Sequence, residues 1–182
     1  MTSCIYLISG IPASGKTWFG DWLRDNRGFV HLDIESEAFQ DSQLGAYFRR
    51  LLLIKEACLF PCQLRRIHPR VVITWGFPFE AYISAVKSLE SGSAQTWWFD
   101  ADIGRASEEW VRAKRQPISH ATAQFDDLQN RREQIISYYG SRILRTLESS
   151  GERKPPEEIA RALRIPDYPS KQEGSSDLLQ SC

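Results

Sequence analysis

The sequence predicts a single layered α/β domain built on a parallel sheet, and three observations carry that prediction. Short β-branched and aromatic runs alternate with longer segments at helical spacing, as in strand–helix–strand units. One run, "RVVITWG" from Arg70 to Gly76, is almost continuously apolar, which suits a sheet covered on both faces. The chain has 182 residues with 42% hydrophobic content, enough for one buried core and no more than one domain.

The elements follow in order. "CIYLIS", Cys4 to Ser9, is the first strand, ended by Gly10. A helix is expected from Gly15 to Asn26, with Trp18, Phe19, Trp22 and Leu23 spaced for its buried side. After the turn "NRG", the run "FVHLDIE" is the second strand and releases Asp33 and Glu35 near its end. One helical pattern then covers Glu37 to Phe60, stopped or kinked by Pro61. "RVVITWG" is the third strand, followed by a helix in which Phe79, Tyr82, Ile83, Val86 and Leu89 keep the three-and-four spacing. "SGS" breaks the chain before a fourth strand, "AQTWWFDAD".

Ser107 is expected to cap a short charged helix, "EEWVRAKR", whose Glu108 and Glu109 suit its positive end, with Pro117 ending the segment. A longer helix is expected from Thr122 to Tyr139, then a fifth strand in "SRILRTL". The prolines and glutamates of "PPEEIARAL" open a last helix, Pro156 to Leu163. The domain is therefore expected over residues 1–165. The polar, Pro/Ser-rich segment 166–182 reads as a poorly ordered tail.

Charges balance at 23 against 23, so nothing in the total draws the chain toward nucleic acid or an anionic membrane. No apolar run approaches the ~20 residues of a membrane span, and Gly10 and Pro12 interrupt the first apolar run before it could serve as a signal peptide. A cytoplasmic location, as monomer or homodimer, is the expectation. Cys58 and Cys62 share a spacing of four that could make half a metal site, but no second pair follows, and a reduced pair is the better reading. His31, His68 and His120 have no spacing that joins them into a catalytic or metal set. Trp97 and Trp98, adjacent on a strand, face opposite sides and read as packing.

The chemistry sits in one stretch. Gly10-Ile11-Pro12-Ala13-Ser14-Gly15-Lys16-Thr17 fits G-x-x-x-x-G-K-[ST] at every fixed position, between an expected strand and an expected helix. The glycines let backbone N–H groups turn inward around phosphate oxygens, and the following helix aims its positive end at the same point. Lys16 would bridge the outer phosphates and the Thr17 hydroxyl would ligate Mg²⁺. ATP and Mg²⁺ are the expected cofactors.

Other parts narrow the class. No N-K-x-D string occurs, which argues against a GTPase. "RVVITWG" ends without the carboxylate of a motor or transport ATPase, and Asp100, closing "TWWFD", is the one rival for that role. The order of parts from Cys4 to Leu163 resembles the shikimate, gluconate and adenylylsulfate kinases of the nucleotide-monophosphate-kinase-like P-loop group, with the zeta-toxin kinases close by. The resemblance implies a three-layer α/β/α fold whose parallel five-stranded sheet has the order 2-3-1-4-5.

The resemblance also implies roles. A carboxylate past the second strand faces the acceptor in these kinases, which points to Asp33, with Glu35 beside it, as acceptor-binding base or indirect metal ligand. Gly76 keeps the glycine character of the acceptor loop after the third strand, while Trp75 and Phe77 depart from the shikimate kinase pattern and speak for another acceptor. Arg49 and Arg50 fall in the region that grips anionic acceptors, and adjacent helical residues allow at most one to face the pocket. A lid is implied at about residues 102–118, where Arg105 would stack on the adenine and Arg112, or Arg115, would neutralise the moving phosphoryl group. The loop after the fifth strand would supply the base site's other wall. The resemblance thus implies phosphoryl transfer to a small molecule; the alternatives are an ATP-binding regulator and a simple ATPase using Asp100.

Overall fold

A computed structural model describes residues 4–77, 79–114, 119, 122–148 and 152–167. Among these residues, five parallel strands form one sheet in the order β2-β3-β1-β4-β5: β1 (Cys4–Gly10), β2 (Val30–Asp33), β3 (Arg70–Trp75), β4 (Gln95–Asp100) and β5 (Ile143–Arg145). This is the order the resemblance implied. The reason lies in the strands themselves. Ile5 and Leu7 of β1 enter one core, with Phe48, Phe60, Val86 and Trp98. Tyr6 and Ile8 enter the other, with Phe19, Leu23, Phe99 and Ile159. A strand that is apolar on both faces is stable only between two helical layers.

The helices are α1 (Lys16–Arg27), α2 (Glu37–Gln40), α3 (Gln43–Leu53), α4 (Leu59–Ile67), α5 (Phe79–Ser91), α6 (Ile103–Lys114), α7 (Thr122–Asn130), α8 (Arg132–Tyr139) and α9 (Pro156–Ala162). The single helix expected over Glu37 to Phe60 is three. Ser36 and Ser42 each cap a new start, the Ser42 hydroxyl accepting from Gly45 N–H at 2.9 Å. Pro61 does not stop the pattern. It lies in the first turn of α4, where a missing N–H costs nothing.

Two further expectations change. Asp102, not Ser107, opens the charged helix: its carboxylate accepts from Arg105 N–H at 2.9 Å, while the Ser107 hydroxyl donates to Gly104 inside α6. The segment Thr122 to Tyr139 breaks at Arg131 into α7 and α8. Trp98 is buried in the first core and Trp97 packs against the second, as adjacent strand residues must. His31 is bridged between Asp21 (3.0 Å) and the Thr74 hydroxyl (2.9 Å), holding α1 to the sheet.

No helix among the described residues is long and apolar enough to cross a membrane. Of the tail expected over 166–182, residues 168–182 lie outside the described residues, as do Arg115, Pro117, His120 and residues 149–151 of the loop after β5. The first two residues of that tail are held to the domain: Arg27 pairs with Asp167, and Arg70 donates to the Pro166 carbonyl at 2.8 Å.

Candidate active site

The site forms at the carboxyl ends of the strands, where the chain leaves β1 for β2 on one side and β4 lies on the other. Gly10 ends β1 against β4 so closely that a Cβ would stand 2.1 Å from the Phe99 carbonyl oxygen, at φ +143°. Ile11 N–H donates to that same carbonyl at 3.1 Å. Only glycine fits there. Gly10→Ala is expected to lower stability by about 3 kcal/mol, read as a fall in Tm of roughly 10 °C. Ala13 and Gly15 carry positive φ angles of 61° and 89°, which turn successive peptides inward. From the far edge, the Thr146 hydroxyl donates to the Ser14 carbonyl at 2.8 Å and holds the loop down.

Lys16 is buried, and its Nζ donates to the carbonyls of Gly10 (3.0 Å) and Ile11 (2.9 Å). That leaves one of three N–H bonds for a ligand. Burial pushes its pKa from 10.5 down to about 8, with the Glu35 and Asp33 carboxylates pulling it back up. The ammonium is therefore still charged at neutral pH.

Thr17 meets Asp33 directly: its hydroxyl donates to Asp33 Oδ2 at 3.0 Å. The other oxygen of Asp33 accepts from Glu35 N–H at 3.1 Å, an Asx turn at the end of β2. Glu35 Oε2 in turn accepts from Gly76 N–H at 2.9 Å. The ends of β2 and β3 thus fix both carboxylates beside the loop.

Lys16, Thr17, Asp33, Glu35 and Gly76 line one cleft of about 490 Å³, with Glu109 and Trp110 of α6 and Gln124 of α7 also in its lining. A cavity of about 630 Å³ adjoins it, with Ala13 of the loop, Arg105 and Arg112 of α6, and Leu147 and Arg153 after β5. Arg112 is paired with Glu109 one turn back. The two spaces meet at the loop, since Ala13 lines both.

Arg153 is the residue that sequence reasoning did not pick. An antiparallel bridge between Leu147 and Arg153 folds the β5 loop back, and the guanidinium lies 5.3 Å from the Trp18 ring centroid, over the start of α1. No local spacing joins Trp18 to Arg153, so only the fold reveals the pair. Arg49 and Arg50 are not brought to the cleft. Arg49 donates to the Gln40 carbonyl (2.6 Å) and side chain (2.7 Å), and both arginines are exposed. Because α3 starts afresh at Ser42, Phe48 and Leu51 take its core face and leave residues 49 and 50 to solvent.

Asp100 lies elsewhere. It is 3% exposed, and Arg132 grips both of its oxygens, one at 2.6 Å. It lines a third cavity with Arg132, Arg145 and Lys154, which shares Arg105 and Leu147 with the cavity of about 630 Å³ but no residue with the cleft of Lys16 and Thr17. No group of three or more His, Cys, Asp or Glu side chains that could cage a metal occurs among the described residues.

No protein-family model and no curated protein matches the chain. Solved structures do. A shikimate kinase from Bacteroides thetaiotaomicron is similar with a TM-score of 0.54 at 12% identity, over 90% of this chain and 95% of that one. A shikimate kinase from Aquifex aeolicus gives 0.53 at 19%, over 88% and 94%. A tunicamycin resistance protein from Deinococcus radiodurans gives 0.52 at 13%, over 88% and 93%. At these identities the likeness is one of fold, and it spans nearly the whole of each chain. The fold is that of these proteins, with shikimate kinases among its structural neighbours.

Proposed function

We propose that the chain transfers the γ-phosphoryl group of ATP, with Mg²⁺, to a hydroxyl group of a small molecule. The observation that carries this is the contact of Thr17 with Asp33 beside the Lys16 ammonium, with Glu35 and Gly76 across the same cleft. Phosphoryl transfer asks little covalent chemistry of a protein; it asks for position and for neutralised charge. The loop amides and Lys16 hold the phosphates. Thr17 and Asp33 supply hard oxygens of the kind Mg²⁺ takes, and a phosphate-bound Mg²⁺ needs few protein ligands. When bound, the cation supplies charge neutralisation between phosphate oxygens. Asp33 also stands where it can accept a proton from, or align, an acceptor hydroxyl.

Arg105, Arg112 and Arg153 surround the adjoining cavity, which is the place for the nucleoside end. Arg105→Ala and Arg153→Ala are each expected to weaken ATP binding about tenfold, the worth of one cation–π or charge-assisted contact. Titration calorimetry reads this, and an unchanged Kd in both variants would move the nucleoside out of that cavity.

The deciding experiment supplies γ-labelled ATP and Mg²⁺ with a deproteinised small-molecule extract. Label on a new metabolite is the expected result. Label released only as phosphate would mark an ATPase, and label left on ATP a regulator.

A further inference from the structure

We infer that His31 is a positioning residue for the metal side of the cleft: its ring sets the distance between α1 and β2 at which the Thr17 hydroxyl meets Asp33. This rests on the Mg²⁺-dependent function proposed above and adds to it a residue that acts only through others.

His31 and Asp33 lie two apart on β2, so both side chains leave the same face of the strand, toward α1. On α1, Gly20 and Asp21 follow Thr17 by three and four residues and share its side of the helix. Helix and strand therefore meet at two rungs. At the first, Thr17 Oγ1 donates to Asp33 Oδ2 at 3.0 Å. At the second, His31 Nδ1 lies 3.0 Å from Asp21 Oδ1, and Nε2 lies 2.9 Å from the Thr74 hydroxyl of β3. A carboxylate only accepts, so Nδ1 carries the proton toward Asp21. Arg24 donates to the same Asp21 oxygen at 2.8 Å and holds it in place.

The second rung is also a stop. Gly20 is buried against the His31 ring, and a Cβ there would collide with it, 2.6 Å from Cδ2 and 2.7 Å from Cε1. Helix α1 thus lies as near to β2 as the ring permits. Its hydrogen bonds to Asp21 on the helix and Thr74 on the sheet keep α1 from tilting away. The ring itself, 4% exposed, has no room to turn aside. One helical turn further on, this fixed spacing places the Thr17 and Asp33 oxygens against each other. Mg²⁺ demands near-ideal geometry of its oxygen ligands, so a metal drawing on both groups tolerates little change in their separation.

The test is calorimetric binding of a non-hydrolysable ATP analogue to the full chain, first with no metal and then across a Mg²⁺ series. His31→Ala is expected to raise the Mg²⁺ concentration for half-maximal effect about tenfold, the usual worth of a group that orients a metal ligand. Metal-free binding should stay within about twofold of the parent, because the loop amides and Lys16 are untouched. Gly20→Ala should reach the same result from the other side. Alanine favours a helix over glycine, so what this variant adds is the collision with the ring, and it carries the test where His31→Ala does not fold. The double variant gives the new methyl the space that the ring left, so its effect should fall below the sum of the two. An unchanged Mg²⁺ requirement in the folded variants overturns the role, as does an equal loss of metal-free binding or strict additivity in the double variant. A parent whose analogue binding does not respond to Mg²⁺ overturns the proposed function along with the role, so the two failures are distinct.

Discussion

Lys16→Ala is expected to fold and to lose phosphoryl transfer by at least about three orders of magnitude, because the charge that faces the outer phosphates is gone. The ammonium has two N–H bonds committed to Gly10 and Ile11, which fix its position inside the loop. It is thus already in place, with no reorganisation needed when phosphates arrive. The same burial sets a second, independent signature in stability. Folding lowers the pKa of Lys16 from 10.5 to about 8, so between those values the unfolded chain binds more protons than the folded one. Stability therefore rises with pH through that window, and below pH 8 the burial penalty is complete. At about 1.4 kcal/mol per unit it amounts to about 3 kcal/mol. Lys16→Met, which fills the space without the charge, should gain on the parent at pH 7. The parent should recover about 2 kcal/mol of that gap by pH 9.5, measured by denaturant unfolding of both proteins at the two pH values. Retained turnover in Lys16→Ala would remove the phosphate-loop assignment altogether.

The loop and the positions of the two carboxylates were legible in the sequence because each rests on local chemistry, whereas the strand order came from the resemblance, since it depends on pairings between distant segments. A glycine-framed loop between a strand and a helix can be read along ten residues, and Asp33 and Glu35 follow from the end of one apolar run. What could not be read depends on contacts between distant segments. The Arg153–Trp18 contact joins residues far apart in the chain, and Trp110 and Gln124 reach the cleft only because α6 and α7 fold over it. The fate of Arg49 and Arg50 turned on a helix break at Ser42, where a serine cap outweighed a continuous helical pattern. Pro61 misled in the same region: a proline stops a helix in its interior but is welcome in a first turn, and spacing alone does not tell the two apart.

Asp33→Asn and Asp100→Asn are expected to fail in opposite ways, and the pair decides between acceptor-directed transfer and plain hydrolysis. Asp33 is partly exposed, touches Thr17 and lines the cleft. Its amide variant keeps shape and loses charge, so the chain should stay folded and bind ATP while kcat falls about 10²- to 10⁴-fold, the usual worth of a positioned base. A higher Mg²⁺ requirement should accompany the loss, because one hard oxygen is weakened. Asp100 is buried, and Arg132 pairs with both of its oxygens. Replacing it leaves that guanidinium with no opposing charge, at a cost of roughly 3 kcal/mol in stability. Turnover per folded molecule should be preserved, since Asp100 lines a different cavity from Thr17. Folded fraction and rate must therefore be measured on the same samples. If Asp100→Asn stays folded and loses activity while Asp33→Asn keeps it, the reacting water or hydroxyl belongs at the end of β4. The cleft between β2 and β3 would then have no part in the chemistry. The ion pair with Arg132 argues against that outcome, because it commits the Asp100 charge to holding the fold together in a cavity that shares no residue with the cleft of Lys16 and Thr17.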